Sequence, residues 1–375
     1  MKAMYKRSML IEQERRLQII PSWIDDESLY SWCCRWHLHT LNRTRTTGVA
    51  LFGVPSAAKV WHAPNPFGWF DRVTMGLLGA PSSILKHRTV AGSYLSLAQQ
   101  IDRQRVQLGQ IPPAYLFSAK SGVGASLRYC ETCASQHFLE HGVAIWRITH
   151  QLPGAGVCIE HCRPLVECME GRQIWASPHS TIGREIRMVS SNELQLMVAV
   201  AKVARKIFEN APLDVNALRG SARKVLCEAY GALDAKRLDP ERVERDWRCS
   251  ILYQWCARSI SVAKAFPRLW LTDVIRGRRS ERNPMRWAFA IAYFCEQSWT
   301  SIDGFFTDAT VPHSNQISLW ADMGGIPHEI LRAFTTATNL KQAAAELGVT
   351  APTVRRWVCT HPEIFLITQH WKFRR

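Results

Sequence analysis

Residues 129–165 read YCETCASQHFLEHGVAIWRITHQLPGAGVCIEHCRPL. The stretch opens on Cys130-x2-Cys133 and closes on Cys158-x2-His161. Two ligands at this spacing sit on one tight turn and can reach a single ion. Two such turns supply the four thiolate and imidazole donors that tetrahedral zinc takes. The 24 residues between the pairs leave room for a short helix and a strand or hairpin. The spacing predicts a zinc ribbon-like module with Cys130, Cys133, Cys158 and His161 on one Zn. Cys162, adjacent to His161, is the nearest competitor, followed by Cys168 and His150. Thiols and an imidazole that are each buried or exposed singly are the alternative, since Cys is among the most buried residue types.

Four protein ligands leave no open position for activated water, so such a site is structural. Other catalytic patterns are poorly represented. The deaminase arrangement of His-x-Glu with Pro-Cys-x2-Cys is missing. No Gly-rich phosphate loop precedes Lys-Ser/Thr. His137 and His141 lack the Glu spacing of a zinc hydrolase. The chain is therefore read as a non-enzyme.

Composition bounds the partners. The chain has 375 residues, enough for two or three domains. Lys plus Arg outnumber Asp plus Glu by 47 to 31, a formal charge of +16. That excess favours a polyanionic partner, nucleic acid or nucleoprotein. Twelve Cys in an otherwise ordinary composition do not make a small secreted disulfide scaffold. The first sixteen residues are polar and charged, unlike a signal peptide. No run approaches the roughly eighteen apolar residues of a membrane helix. The expectation is a cytoplasmic protein with reduced thiols and no membrane partner.

The same stretch resembles the TniQ family. The resemblance is carried by Arg128-Tyr129-Cys130-x2-Cys133, Gly142, Trp146, His150-Gln151-Leu152-Pro153-Gly154, Cys158-x2-His161 and Pro164-Leu165. Asp26-Glu27-Ser28-Leu29-Tyr30-Ser31-Trp32 continues it upstream, and Asn283-Pro284-Met285-Arg286-Trp287 repeats it weakly downstream. It implies a transposition target-selection adaptor. Such a protein links a target site, or a DNA-bound CRISPR effector complex, to the AAA+ ATPase of the transposon. TnsD-type members read DNA themselves and are generally longer. TniQ-type members of CRISPR-associated transposons are shorter and commonly bind the effector as a homodimer. The length here favours the second type. A zinc-containing transcriptional regulator is a reading from another class.

Outward from this stretch the chain is mainly α. Residues 1–18 form a polar leader. Residues 19–128 form an N-terminal helical region. Its first helix is expected to be capped by Asp25 or Asp26 and to bury Leu29, Trp32, Cys33 and Trp36. Arg35 and His37 fall near its polar margin. Prolines at 55, 64, 66, 81, 112 and 113 punctuate the remainder into short helices and loops. The zinc module spans 129–180.

Residues 181–330 are read as a helical domain. Ser190-x2-Glu193 suggests a capping box before a helix at 194–208, and further helices are expected at 222–230, 243–257 and 285–297. Arg276, Arg278, Arg279 and Arg282 cluster beside a Gly turn and are read as partner-binding, against a solvated loop.

Residues 331–375 carry the second local signal. Residues 340–357 read LKQAAAELGVTAPTVRRW, a helix-turn-helix. Leu340, Ala344 and Leu347 share a face, Gly348 permits the turn, and Thr350 and Pro352 suit the start of the second helix. Thr353, Arg355 and Arg356 are left to face DNA, with Lys372, Arg374 and Arg375 in the basic tail. The expected architecture is multi-domain and mainly α, with helix-turn-helix elements and a zinc ribbon-like module.

Overall fold

The computed structural model describes residues 20–55, 67–107, 126–168, 175–188, 190–210, 212–258, 265–276, 282–298, 301–307, 328–351 and 354. The chain divides into two compact units. One comprises Met1–Ala98 and Gly109–Thr310, the other Gln99–Leu108 and Val311–Arg375. The described residues are mainly helical, and none of their helices is long and apolar enough to cross a membrane.

The first unit begins with α1 (Leu29–Thr40), α2 (Thr44–Phe52), α3 (Phe67–Thr74), α4 (Pro81–Arg88) and α5 (Ala91–Leu97). Leu29, Trp32, Cys33 and Trp36 are buried on α1 as their spacing predicts. They join Phe52, Phe70, Trp146 and Trp175 in one aromatic cluster. Phe52 and Phe70 stack at 5.3 Å, and Trp32 meets Phe70 edge-on at 5.5 Å.

Two expectations for α1 are corrected. Its N-cap is Ser28, whose side chain accepts from the Ser31 amide at 3.1 Å. Asp26 is drawn away to another partner described below. Arg35 is not solvated. Its side chain lies buried against Glu27, with Nε to Oε1 at 2.8 Å and Nη2 to Oε2 at 2.7 Å. A charged side chain goes inside when a matched partner is waiting, and this forked pair satisfies both carboxylate oxygens.

Next come β1 (Arg128–Tyr129), α7 (Glu131–His141), α8 (Ile148–Gln151), β2 (Val157–Cys158), β3 (Arg163–Pro164), β4 (Val166–Cys168) and β5 (Gly183–Glu185). The second unit contributes α6 (Gln100–Gln107) between α5 and β1. Strands β1, β4 and β5 form an antiparallel sheet in that order, with Tyr129 opposite Val166 and Glu167 opposite Arg184. β2 and β3 form a separate hairpin with Cys158 opposite Arg163.

The helical half contains α9 (Ser191–Glu209), α10 (Val215–Tyr230), α11 (Pro240–Cys249), α12 (Ile251–Ala257), α13 (Trp270–Arg276), α14 (Pro284–Ser298) and α15 (Ile302–Thr307). Ser190 caps α9 by accepting from the Glu193 amide at 3.1 Å, while the Glu193 carboxylate meets Arg258. The single helix expected over 243–257 is broken at Ser250. That side chain accepts from the Tyr253 amide at 3.2 Å and donates to the Trp247 carbonyl at 2.6 Å. A Ser at a cap competes with the helix ladder and here ends one helix while starting the next. Trp247 lies at the centre of the apolar core, edge-on to Trp270 and Tyr293.

The second unit also holds α16 (His328–Thr336) and α17 (Leu340–Glu346). Asn339 caps α17 by accepting from the amides of Lys341 and Gln342, each at 3.0 Å. Phe334, Ala337, Ala343, Ala344 and Val354 close a small core, with Leu340 and Leu347 packed against it. Gly348 takes φ of +64°, the left-handed turn that its position predicts. The Val354 amide donates to the Thr350 carbonyl at 3.1 Å, a helical step.

Candidate metal centre

The two ligand pairs enter from different elements. Cys130 is the N-cap of α7 and Cys133 lies in its first turn. Cys158 ends β2, and His161 sits in the turn to β3, where Cys162 takes φ of +47°. The hairpin thus folds one knuckle back over the helix that carries the other.

The donor atoms of Cys130, Cys133, Cys158 and His161 lie within 4.8 Å of one another. His161 Nδ1 is 3.7, 3.3 and 3.5 Å from the sulfurs of Cys130, Cys133 and Cys158, and the Cys133 and Cys158 sulfurs are 3.7 Å apart. A tetrahedral ion with sulfur bonds of about 2.3 Å spaces its ligands by about 3.7 Å. The four groups fit around one metal ion. The three cysteines are buried and share a pocket with Leu165.

The thiols perturb one another strongly. Hydrogen bonds from Cys133 and Cys158 hold Cys130 well below the usual thiol range. Cys133, donating to Cys130, is pushed far above it. Three sulfurs this close hold their full negative charge only with a cation among them.

The competing ligands fall outside the group. Cys162 is exposed and points its sulfur at the Ile159 carbonyl, 3.7 Å away. Cys168 meets the Thr181 hydroxyl at 3.3 Å. His150 is buried with Nε2 4.0 Å from the Cys133 sulfur. Burial, seconded by the Arg147 charge, lowers the His150 pKa to about 3, so its ring is neutral.

The HQLPG element supports the site from behind. Gln151 accepts from the Arg128 amide at 3.0 Å and donates to the Arg128 carbonyl at 2.6 Å. The buried Arg128 guanidinium reaches the carbonyls of Gln151, Leu152 and Ala155. Burial lowers its pKa to about 10, leaving it charged at neutral pH. Gly154 takes φ of +93°, and a Cβ there would lie 3.2 Å from Val200 on α9. The element therefore presses the metal module onto the helical half through a loop that only a residue without a side chain can form.

One functional side chain escapes the sequence reading. Arg147 donates to the Cys133 sulfur at 3.2 Å and to Asp26 at 2.6 Å, and it also binds both oxygens of Glu160. Its only sequence signal is a position between Trp146 and HQLPG.

Of the other predicted site residues, Arg276 donates to the carbonyls of Ala235, Lys236 and Leu238, at 2.7 Å for the last. Its guanidinium closes a loop in this structure. Arg282 is half-buried. Arg278 and Arg279, Thr353, Arg355, Arg356, Lys372, Arg374 and Arg375 lie outside the described residues.

Residues 18–165 match the family model TniQ. The matched stretch contains α1, all four ligand residues and HQLPG. No curated protein matches the chain.

Proposed function

We propose that this chain is a target-selection adaptor that joins a target site, or a guide-RNA effector complex bound to it, to the AAA+ ATPase of a transposon. The observation that carries this reading is the TniQ match over residues 18–165, with the four-ligand cluster inside it. The metal is zinc, because three thiolates and an imidazole at tetrahedral separations are its preferred donors. Its role is to fold the module. The protein works by binding, in the cytoplasm, without catalysis of its own. The charge of +16 suits a nucleoprotein partner.

The test is copurification of the full chain with candidate effector and ATPase, with and without target DNA. Retention of the ATPase by the target complex only when this chain is present supports the adaptor. Equal retention without it removes the reading.

A second reading, direct selection of a DNA site, draws on the Gly348 turn and the basic tail. Binding to a pool of random duplexes at two salt concentrations separates the two. An enriched motif that vanishes in Arg356→Ala, with a loss of about 1–3 kcal/mol of discrimination, supports direct reading. Uniform weakening when Lys372, Arg374 and Arg375 are removed reports phosphate contacts only. Weak, motif-free binding favours the partner-steered version.

A further inference from the structure

We propose that Arg147 is a positioning residue of the metal centre that makes docking of the N-terminal segment depend on metal occupancy. The proposal rests on the metal reading of the Cys130–His161 cluster given above.

Three kinds of contact converge on this guanidinium. Nη1 donates to the Cys133 sulfur at 3.2 Å. Nη1 and Nη2 hold the Glu160 carboxylate, which sits in the hairpin turn between ligands Cys158 and His161. Nε holds Asp26 Oδ2 at 2.6 Å, on the segment leading to α1. The Arg147 side chain is 13 % exposed and Asp26 is 17 % exposed, so that pair is largely shielded from solvent, while Glu160 is 45 % exposed and meets the fork from the rim.

The link is reinforced on the N-terminal side. Asp26 also accepts from the Thr149 amide and hydroxyl. Its own carbonyl receives the Ile148 amide at 2.7 Å, and the Ser28 amide donates to the Trp146 carbonyl at 3.0 Å. Glu27 and Arg147 are paired as an isolated β-bridge. Asp26 holds φ of +56°, a conformation that a non-glycine residue adopts only when its surroundings impose it.

The chemistry gives the direction. Three thiolates and a divalent ion carry a net charge of −1. A guanidinium hydrogen bond to one of those sulfurs spreads the charge and fixes the direction of the sulfur. Arg147 is a planar fork, so the orientation that serves Cys133 and Glu160 is also the one that presents Nε to Asp26. With the ion bound, the ligand cage holds Cys133 and the 158–161 turn, and both hold the fork. Without it, the sulfurs repel one another, the fork loses two of its three anchors, and the Asp26 segment keeps its contacts to Thr149, Ile148, Trp146 and Arg88 alone.

The experiment uses the full chain and zinc or cobalt as the probe. Zinc affinity is measured by competition with a chromophoric chelator. Amide hydrogen exchange at residues 24–32 is followed in loaded and chelated protein, with the 157–164 hairpin as internal reference. Arg147→Gln should weaken zinc about 10- to 100-fold. It should also leave residues 24–32 exchanging fast even when loaded, while 157–164 stays protected. In the cobalt form, losing the donor to sulfur should move the thiolate-to-metal charge-transfer band to longer wavelength. Arg147→Lys keeps the charge without the fork and should recover part of the affinity but not the protection. Asp26→Asn should loosen residues 24–32 and leave the cobalt band in place.

An Arg147→Gln protein with wild-type affinity, band position and protection overturns the proposal alone. Absence of metal from carefully purified wild type, with no uptake on titration, overturns both the proposal and the metal reading.

Discussion

The metal module and the helical half bury their chains by opposite means. Residues 126–168 contain strands of two or three residues and a ligand pocket in which Leu165 and the packed Ile186 lie beside three cysteines, while Trp146, Ile148, Leu152, Ala155 and Val157 of the same stretch pack into the two larger apolar clusters. Its order depends on coordination, on the Arg128 clamp and on the Asp26–Arg147–Glu160 chain of charges. The bundle of α9 to α14 instead surrounds Trp247, Phe266, Trp270, Trp287, Phe289 and Tyr293. The ligand pocket stands on a few directional contacts, so a single ligand atom can dismantle it. The bundle spreads its stability over many apolar neighbours and loses it in increments.

The largest expected effect follows from the first case. Cys133→Ser removes a central ligand that lies 3.3 Å from His161, 3.7 Å from Cys158 and 3.2 Å from Arg147. Metal content should fall below one per chain, and the module should open. Apparent zinc-binding energies of about 10–16 kcal/mol in small zinc modules show how much of such a fold rests on the ion. Far-ultraviolet circular dichroism should retain most of its helical signal, because α9 to α14 carry their own core. A variant that keeps stoichiometric metal and full protease resistance would falsify the coordination set.

The bundle should fail more gradually. Trp287 is 1 % exposed, and Trp287→Ala should cost about 3–5 kcal/mol from lost burial and the cavity left behind. Its metal content should stay at one per chain. A metal content below one per chain in the folded variant without denaturant would show that the two regions are not separable in this way.

How much of this was legible in the sequence follows the same division. The ligand set could be read because x2 spacing fixes two donors on one turn whatever surrounds them. Helices α9 and α14 could be read from apolar rhythm, to within a few residues at either end. Arg147, Arg35 and Asp26 could not. Their partners lie 8 to 123 residues away, and only the folded chain brings Arg147 to Asp26. The break at Ser250 left a faint trace. Trp247 to Leu252 is a five-residue step, out of register with a continuous helix face.

The buried ion pair sharpens the comparison from the N-terminal side. Glu27 is fully buried and accepts both donors of Arg35, and also the Ile24 amide at 3.2 Å. Glu27→Gln removes the charge while keeping the shape, leaving the Arg35 cation without its counter-charge. A loss approaching about 3 kcal/mol is expected, the lower end for breaking a buried pair. Replacing both partners, as Glu27→Leu with Arg35→Met, should recover part of it, because apolar groups of similar volume need no counter-charge. Equal losses in the single and double variants would mean that packing, not charge, holds this site.

The smallest effect is expected at the junction of α11 and α12. Ser250→Ala removes a hydroxyl that accepts from Tyr253 and donates to Trp247. Loss of a Ser cap costs about 1 kcal/mol. Alanine also favours helix, so the substitution tests whether the break is made by the cap or by the core. Trp247 and Leu252 are both fully buried in one cluster. Five residues of continuous helix would turn Leu252 about 140° away from Trp247. The core should therefore keep the break, and the urea midpoint should move by roughly that one kilocalorie with an unchanged slope. An unchanged or raised midpoint would mean that the helices fuse without penalty. The apolar core would then be more tolerant of rearrangement than its buried tryptophans imply, and the contrast with the coordinated module would be larger still.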